Sequence, residues 1–169
     1  MPANESSNGL SSHSHLLVDD VRKYIPHRPP FLFVDEIVSS TKESLTAQRR
    51  IRPDEDFFRG HYPGNPIMPG VLIAESVFQA GALHLVDTLS ENVVPKNAVP
   101  VLVRISDARF RQVIRPGDVL TIEVRTKERM GKFFFMHGRV TSEGRRVMTI
   151  DFSVAMEAGD ADEASGSAE

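Results

Sequence analysis

The sequence predicts an α+β domain in which an antiparallel sheet wraps around one long buried helix. Three observations predict it. Residues 70–89, GVLIAESVFQAGALHLVDTL, are apolar on nearly every side, contain no proline and consist of good helix formers. A helix that is hydrophobic all round is a buried one. The second half of the chain alternates apolar and polar residues with period two, the mark of half-buried strands. Turn signals separate those runs at hairpin lengths.

The elements follow in order. Leu17, Val21 and Ile25 share helical spacing, so a short helix over Val18–Ile25 is expected, stopped near Pro26 by the HRPP that follows. FLFVDEIV (31–38) and LTAQRRI (45–51) read as strands joined by the polar turn STKES. Residues 99–114 and 132–141 fill in as two further strands. VLTIEVRTK (119–127) sets Leu120, Ile122 and Val124 against Thr121, Glu123 and Arg125. In 147–156, Met148, Ile150, Phe152, Val154 and Met156 share one face and Thr149, Asp151 and Ser153 the other. RPGD (115–118), MGK (130–132) and SEGR (142–145) supply the turns. A meander around the central helix is the expected arrangement.

Bulk properties narrow the class. A chain of 169 residues makes one domain the natural count, and 40% hydrophobic and 25% charged content is ordinary for a globular protein. A net charge of −3 gives no global reason to bind nucleic acid or an anionic membrane. The chain has no cysteine, which removes disulfides, thiolate metal sites and a cysteine nucleophile. No run approaches the roughly 20 apolar residues of a membrane-spanning helix. Residues 1–14 are polar and lack the order of a secretory signal, so a cytoplasmic address is expected. Residues 1–14 and the acidic 157–169 have too little apolar surface to repay ordering and are expected to be disordered tails, with the domain over 15–156.

The chemistry concentrates in residues 57–81, FFRGHYPGNPIMPGVLIAESVFQAG. Its prolines and glycines make an irregular loop, and Pro69-Gly70 opens the helix, since proline is preorganised for a first turn. The free N–H groups of that turn carry the positive end of the helix dipole and can hold an oxygen that becomes negative during reaction. Gly70 has no side chain to block close approach. His61, within the loop, can take a proton and return it near neutral pH. A lone histidine is more often a packed structural one; its place before a helix N-terminus favours a chemical role. Glu75 is the only Asp, Glu, Lys or Arg between His61 and His84. A solvent-facing stripe through it would continue at 79, 82 and 86, but those are Gln79, Ala82 and Val86. Gln79, four residues on, can reach and orient the carboxylate. A carboxyl in apolar surroundings is pushed toward its protonated form, which suits a general acid. Spacing alone leaves open whether His61 and Glu75 meet within one chain or across a dimer.

These residues resemble the Z-type 3-hydroxyacyl-[acyl carrier protein] dehydratase family of bacterial fatty-acid synthesis. The resemblance runs from about Leu17 to Met156 and rests mainly on GHYPGNPIMPGVL (60–72) and ESVFQ (75–79). PHRPPFLFVD (26–35), ARF (108–110) and RPGD (115–118) support it. It implies a hot-dog fold, a homodimer that can assemble into a trimer of dimers, and active sites at the dimer interface. It implies catalytic roles for His61 and Glu75 from opposite subunits, a thioester-binding N–H at Gly70 and support from Gln79. The implied partner is acyl carrier protein with its phosphopantetheine-linked acyl chain, and the implied reaction yields a trans-2-enoyl product without metal or organic cofactor, because the thioester acidifies its own α-proton. Arg104-Ile105-Ser106-Asp107 departs from the family's usual glycine and Ile-Asp before ARF, and Val101 stands where an aromatic residue often gates the acyl tunnel. Chain-length preference is therefore open.

Other features carry less. Arg104, Arg109, Arg111 and Arg115 make a locally basic run, offset by Asp107 and Asp118. Carrier proteins are acidic, so Arg109 and Arg111 are candidate docking residues, although such a run is usually a solvated strand face. His13 and His15 alone are a weak metal signal. His84 and His137 read as structural, and His27, in PHRPP, as a residue that shapes the early loop. Three rivals remain: a dehydratase of polyketide or other specialised lipid synthesis, a hot-dog acyl thioesterase, and a non-catalytic acyl-binding module. An isomerising dehydratase typically carries aspartate where this chain has Glu75.

Overall fold

The structure is a computed structural model and describes residues 18–89 and 98–158. His13, His15 and the expected tail 1–14 lie outside the described residues. So does most of 157–169, although the last strand reaches Ala158.

Helix α1 spans Val18–Tyr24, and Val21 and Ile25 are buried as their spacing requires. Six strands follow: β1 (Glu36–Ser40), β2 (Ser44–Arg50), β3 (Ala98–Phe110), β4 (Val119–Met130), β5 (Phe133–Ser142) and β6 (Arg145–Ala158). Helix α2, Gly70–Thr88, lies between β2 and β3 in the chain. The strands form one antiparallel sheet in the order β1-β2-β4-β5-β6-β3. The expected meander is therefore only partial. β4, β5 and β6 follow one another through hairpins, but β2 pairs with β4, and β3 crosses to the far edge beside β6. Strand order is set by which edges meet across the sheet, and a period-two pattern carries no information about that.

The alternation is realised in β4 and up to Phe152 in β6, beyond which Ser153, expected on the polar face, is buried and Met156, expected on the core face, is only partly so. Leu120, Ile122 and Val124 of β4 and Met148, Ile150, Phe152 and Val154 of β6 point into the core. Glu143 and Gly144, the hairpin between β5 and β6, both have positive φ (50° and 73°), as a two-residue turn of type I′ requires. Helix α2 packs into the concave face, with Ile73, Val77, Ala80, Leu83 and Leu85 buried. Not every side is covered: Val71 is 74% exposed at the first turn and Val86 is 37% exposed near the last. Gly138 lets α2 approach closely, since a Cβ there would fall 2.2 Å from Val77 Cγ1 and 3.1 Å from Ile150 Cγ2.

One strand expectation fails at its start. Residues 31–35 lie outside the sheet, and β1 begins only at Glu36. Backbone groups of Phe31, Leu32 and Phe33 find side-chain partners instead of a ladder, whereas the Asp35 N–H reaches β2, at the Gln48 carbonyl. Gln79 Nε2 donates to the Phe31 carbonyl at 3.0 Å, the Phe33 N–H donates to Gln79 Oε1 at 2.7 Å, and Arg49 Nη1 donates to the Leu32 carbonyl at 3.0 Å. With those groups satisfied, the apolar run 31–34 crosses α2 without a paired strand beside it. Likewise β3 stops at Phe110 rather than 114, and the chain leaves the sheet before the Arg115–Asp118 turn.

Candidate active site

A short 3-10 turn, Asp56–Arg59, brings the chain into the loop, and the His61 N–H donates to the Phe57 carbonyl at 2.9 Å. The loop is tied down further on. The Met68 N–H donates to the Ile114 carbonyl at 2.7 Å, and Arg115 Nη1 donates to Asn65 Oδ1 at 2.8 Å. His61 Nδ1 lies 2.9 Å from the Ile67 carbonyl oxygen. A carbonyl can only accept, so Nδ1 carries a proton, and in the neutral ring Nε2 is the nitrogen with the lone pair. Tyr62, with φ 54°, turns the chain sharply, and its ring stands edge-on to the imidazole at 4.7 Å.

Helix α2 then opens at Gly70. Pro69 occupies the cap position and no side chain caps the turn. The Leu72 and Ile73 N–H groups donate to the Pro69 carbonyl, leaving the leading N–H groups of the helix for an outside acceptor. Gly70 proves tighter than its lack of a side chain suggests. A Cβ there would stand 3.1 Å from Cε1 of Phe110, whose half-exposed ring closes over the turn from the end of β3.

Glu75 follows a little more than one turn later, with its side chain 21% exposed. Gln79 Nε2 donates to Glu75 Oε1 at 3.0 Å, so the expected contact between i and i+4 exists. Gln79 is itself 1% exposed and held at both ends of its amide by Phe31 and Phe33. It fixes the carboxyl and cannot turn away. Ala82 is buried, so the stripe through Glu75 closes as the sequence indicates. Beside Glu75 is a cavity of about 210 Å³, walled by His27, Phe78 and Gln79 and, from β3, by Pro100 and Leu102.

His27 is the residue that sequence reasoning did not assign to this site. Its Nε2 lies 3.7 Å from Glu75 Oε1. The only local signal was a histidine in a proline-rich segment, which does not reveal a neighbour 48 positions away. His61, by contrast, neither bonds Glu75 nor lines this cavity. One chain holds the clamped carboxyl and, separately, the poised imidazole.

The remaining candidates are surface features. Arg109 pairs with Asp107 at 3.1 Å, both more than half exposed, while Arg111 is exposed and uses its N–H to bond the Val147 carbonyl. His137 pairs with Asp151 at 2.7 Å across β5 and β6. Burial works against ionisation of Asp151, but the His137 hydrogen bond and the Lys127 charge outweigh it and hold this carboxyl below its usual range. A larger cavity, about 420 Å³, lies among Arg22, Asp35, Arg49, Arg50 and Arg52. Its buried cation is already matched, Arg49 bonding Asp35 at 3.2 Å and Glu55 at 2.5 Å, so it reads as a structural ion-pair network. Among the described residues, no three His, Asp or Glu side chains are grouped to hold a metal ion, and no helix is long and apolar enough to cross a membrane.

A sheet wrapped on one helix, with a carboxyl near that helix's uncapped start, defines a class. The chain belongs to the FabA-like domain family, whose model matches residues 25–151. Within it, the chain is 39% identical over 140 residues to the 3-hydroxyacyl-[acyl-carrier-protein] dehydratase FabZ of Shewanella oneidensis, covering 82% of this chain and 90% of that protein. It is 37% identical over 152 residues to the protein of the same name from Myxococcus xanthus, covering 89% and 98%. Among solved structures, the dehydratase heterocomplex ApeI:P from Xenorhabdus doucetiae shares the fold, with a TM-score of 0.69 at 18% identity over 81% of this chain and 90% of that one. The architecture is the hot-dog fold that the sequence motifs imply.

Proposed function

We propose that the chain dehydrates 3-hydroxyacyl groups on acyl carrier protein to trans-2-enoyl groups, as a cytoplasmic step of fatty-acid synthesis. The observation that carries this reading is the Glu75 carboxyl, clamped by Gln79 in a cavity near the uncapped first turn of α2. The names of the curated relatives support it.

The reaction follows from what each group can do. The Gly70 N–H binds the thioester oxygen and stabilises the charge that develops there, a contribution of about 10²–10³ in rate when one such donor is lost. His61, with Nε2 bare, takes the proton from the α-carbon. Glu75 gives its proton to the 3-hydroxyl as the carbon–oxygen bond breaks, so that water leaves and the double bond forms between the α and β carbons. The proton gained by His61 returns to solvent, and Glu75 takes one back.

This scheme needs His61 of one subunit beside Glu75 of another. Support comes from β3, an edge strand with Val99, Val101, Leu102, Val103 and Ile105 all between 38% and 54% exposed. A long apolar edge invites pairing with another strand, and a second copy of β3 would cover it and extend the cavity wall at Pro100 and Leu102. The acidic carrier docks on Arg109 and Arg111. Charge reversal there should raise KM for a carrier-linked substrate much more than for a short thioester, and equal effects on both would remove that docking site.

The test is spectroscopic. Enoyl-thioester absorbance should report turnover by the wild type and a loss of about 10²–10⁴ for His61→Ala and Glu75→Gln. Release of free thiol would make the protein a thioesterase instead, and unchanged turnover by both variants would remove these residues from the chemistry.

A further inference from the structure

Two nitrogens converge on one oxygen of Glu75. Gln79 Nε2 donates to Oε1 at 3.0 Å, and His27 Nε2 faces the same atom at 3.7 Å. We propose that His27 is a positioning residue which, with Gln79, reserves Oε1 as an acceptor and so confines the acid proton of Glu75 to Oε2. This rests on the dehydratase reading of the site and adds a residue and an atomic assignment to it.

The tautomer supports the assignment. His27 Nδ1 is buried and has no hydrogen-bond partner among the described residues. An orphaned N–H is rarer than an orphaned acceptor, so the ring proton belongs on Nε2, aimed at Glu75. An oxygen that already faces two N–H donors is a poor seat for a third proton. The hydroxyl of the neutral carboxyl is then Oε2, the oxygen left to meet the substrate.

The segment is built to keep the imidazole there. Pro26 and Pro29 restrict the backbone on either side. Arg28 ties it to the end of α1, with Nη1 donating to the Ile25 carbonyl at 2.9 Å and the His27 carbonyl at 2.7 Å, and Nη2 to the Arg22 carbonyl at 3.0 Å. At 3.7 Å the His27–Glu75 contact is too long for a full hydrogen bond. Contacts of this kind commonly tighten once substrate fills the site.

Steady-state hydration of a crotonyl-pantetheine thioester by full-length His27→Leu, His27→Asn and His27→Gln tests the proposal. Leu removes the donor. Asn keeps a polar group but places its amide near the Nδ1 position, whereas Gln carries an N–H to the reach of Nε2. The expected result is a fall in kcat of about 30-fold for Leu and Asn, with KM within about threefold and melting temperature unchanged, and recovery by Gln to within about threefold of wild type. A wild-type kcat in both Leu and Asn, a Gln variant as impaired as Leu, or a change confined to KM would each overturn it. An inert wild type would sink the dehydratase reading and this assignment together. An active wild type that loses turnover in Glu75→Gln but not in His27→Leu would sink the His27 assignment alone.

Discussion

At the scale of single residues, Gln79 serves the fold and the site at once. Its amide joins the Phe31–Phe33 segment to α2 and orients Glu75. Gln79→Leu should therefore cost stability as well as turnover. The buried Phe33 N–H would lose its acceptor, a penalty of about 1–3 kcal/mol, measurable as a lower urea midpoint alongside a reduced kcat. Undiminished stability would mean that the 31–35 segment is held by other contacts. Gln79 was legible as a partner of Glu75 because four residues make one helical turn. Its second task was not, since Phe31 and Phe33 lie more than 40 positions earlier.

His84 gives a residue-scale prediction in pH. It is fully buried on α2 with neither ring nitrogen bonded among the described residues. Burial holds its pKa below the ordinary 6.5, although Asp87 and Glu43 pull the other way. The unfolded chain thus binds this proton more readily than the folded one. The stability due to neutral His84 is fully present above pH 6.5 and is lost as pH falls from there toward the lowered folded value. His84→Phe should flatten the part of the acid-side decline below pH 6.5 that this group causes. An identical pH profile in the variant would show that His84 does not contribute to it.

At the scale of elements, the contact between α2 and the sheet depends on Gly138. A methyl group there meets Val77 Cγ1 at 2.2 Å, a separation that packed atoms cannot hold. Gly138→Ala should destabilise by about 1–3 kcal/mol, and Val77→Ala in the same chain should recover part of that loss in a urea titration. Additive losses in the double variant would show that the two positions are not in contact. The elements themselves were largely readable: α2 from apolarity on every side, β4 and β6 from strict alternation, and the β5–β6 hairpin from its Glu-Gly turn. Residues 31–35 misled because their apolar content fits a strand, while backbone groups of Phe31, Leu32 and Phe33 bond side chains from β2 and α2. The placing of β3 beside β6 was equally hidden, because pairing depends on edges that form only after collapse.

At the scale of the whole molecule, the chain carries an exposed apolar edge, and the cavity beside Glu75 is one that its own His61 does not line. Val103→Lys with Ile105→Lys should disfavour pairing along β3, so sedimentation should show a smaller species and turnover should fall with it. Monomers with full activity would contradict the shared site. Residue spacing by itself could not show this separation. His61 and Glu75 are 14 positions apart in the chain, yet α2 carries the carboxyl to a cavity that His61 of the same chain does not line.

Complementation measures this most directly. His61→Ala and Glu75→Gln chains, each inactive alone, are unfolded together and refolded as a mixture. If each site draws its imidazole and carboxyl from different subunits, a mixed dimer regains one intact site, and random pairing restores about a quarter of wild-type activity. Recovery near that level is the predicted result. A refolded mixture that contains mixed dimers and stays as inactive as its parents would contradict the account.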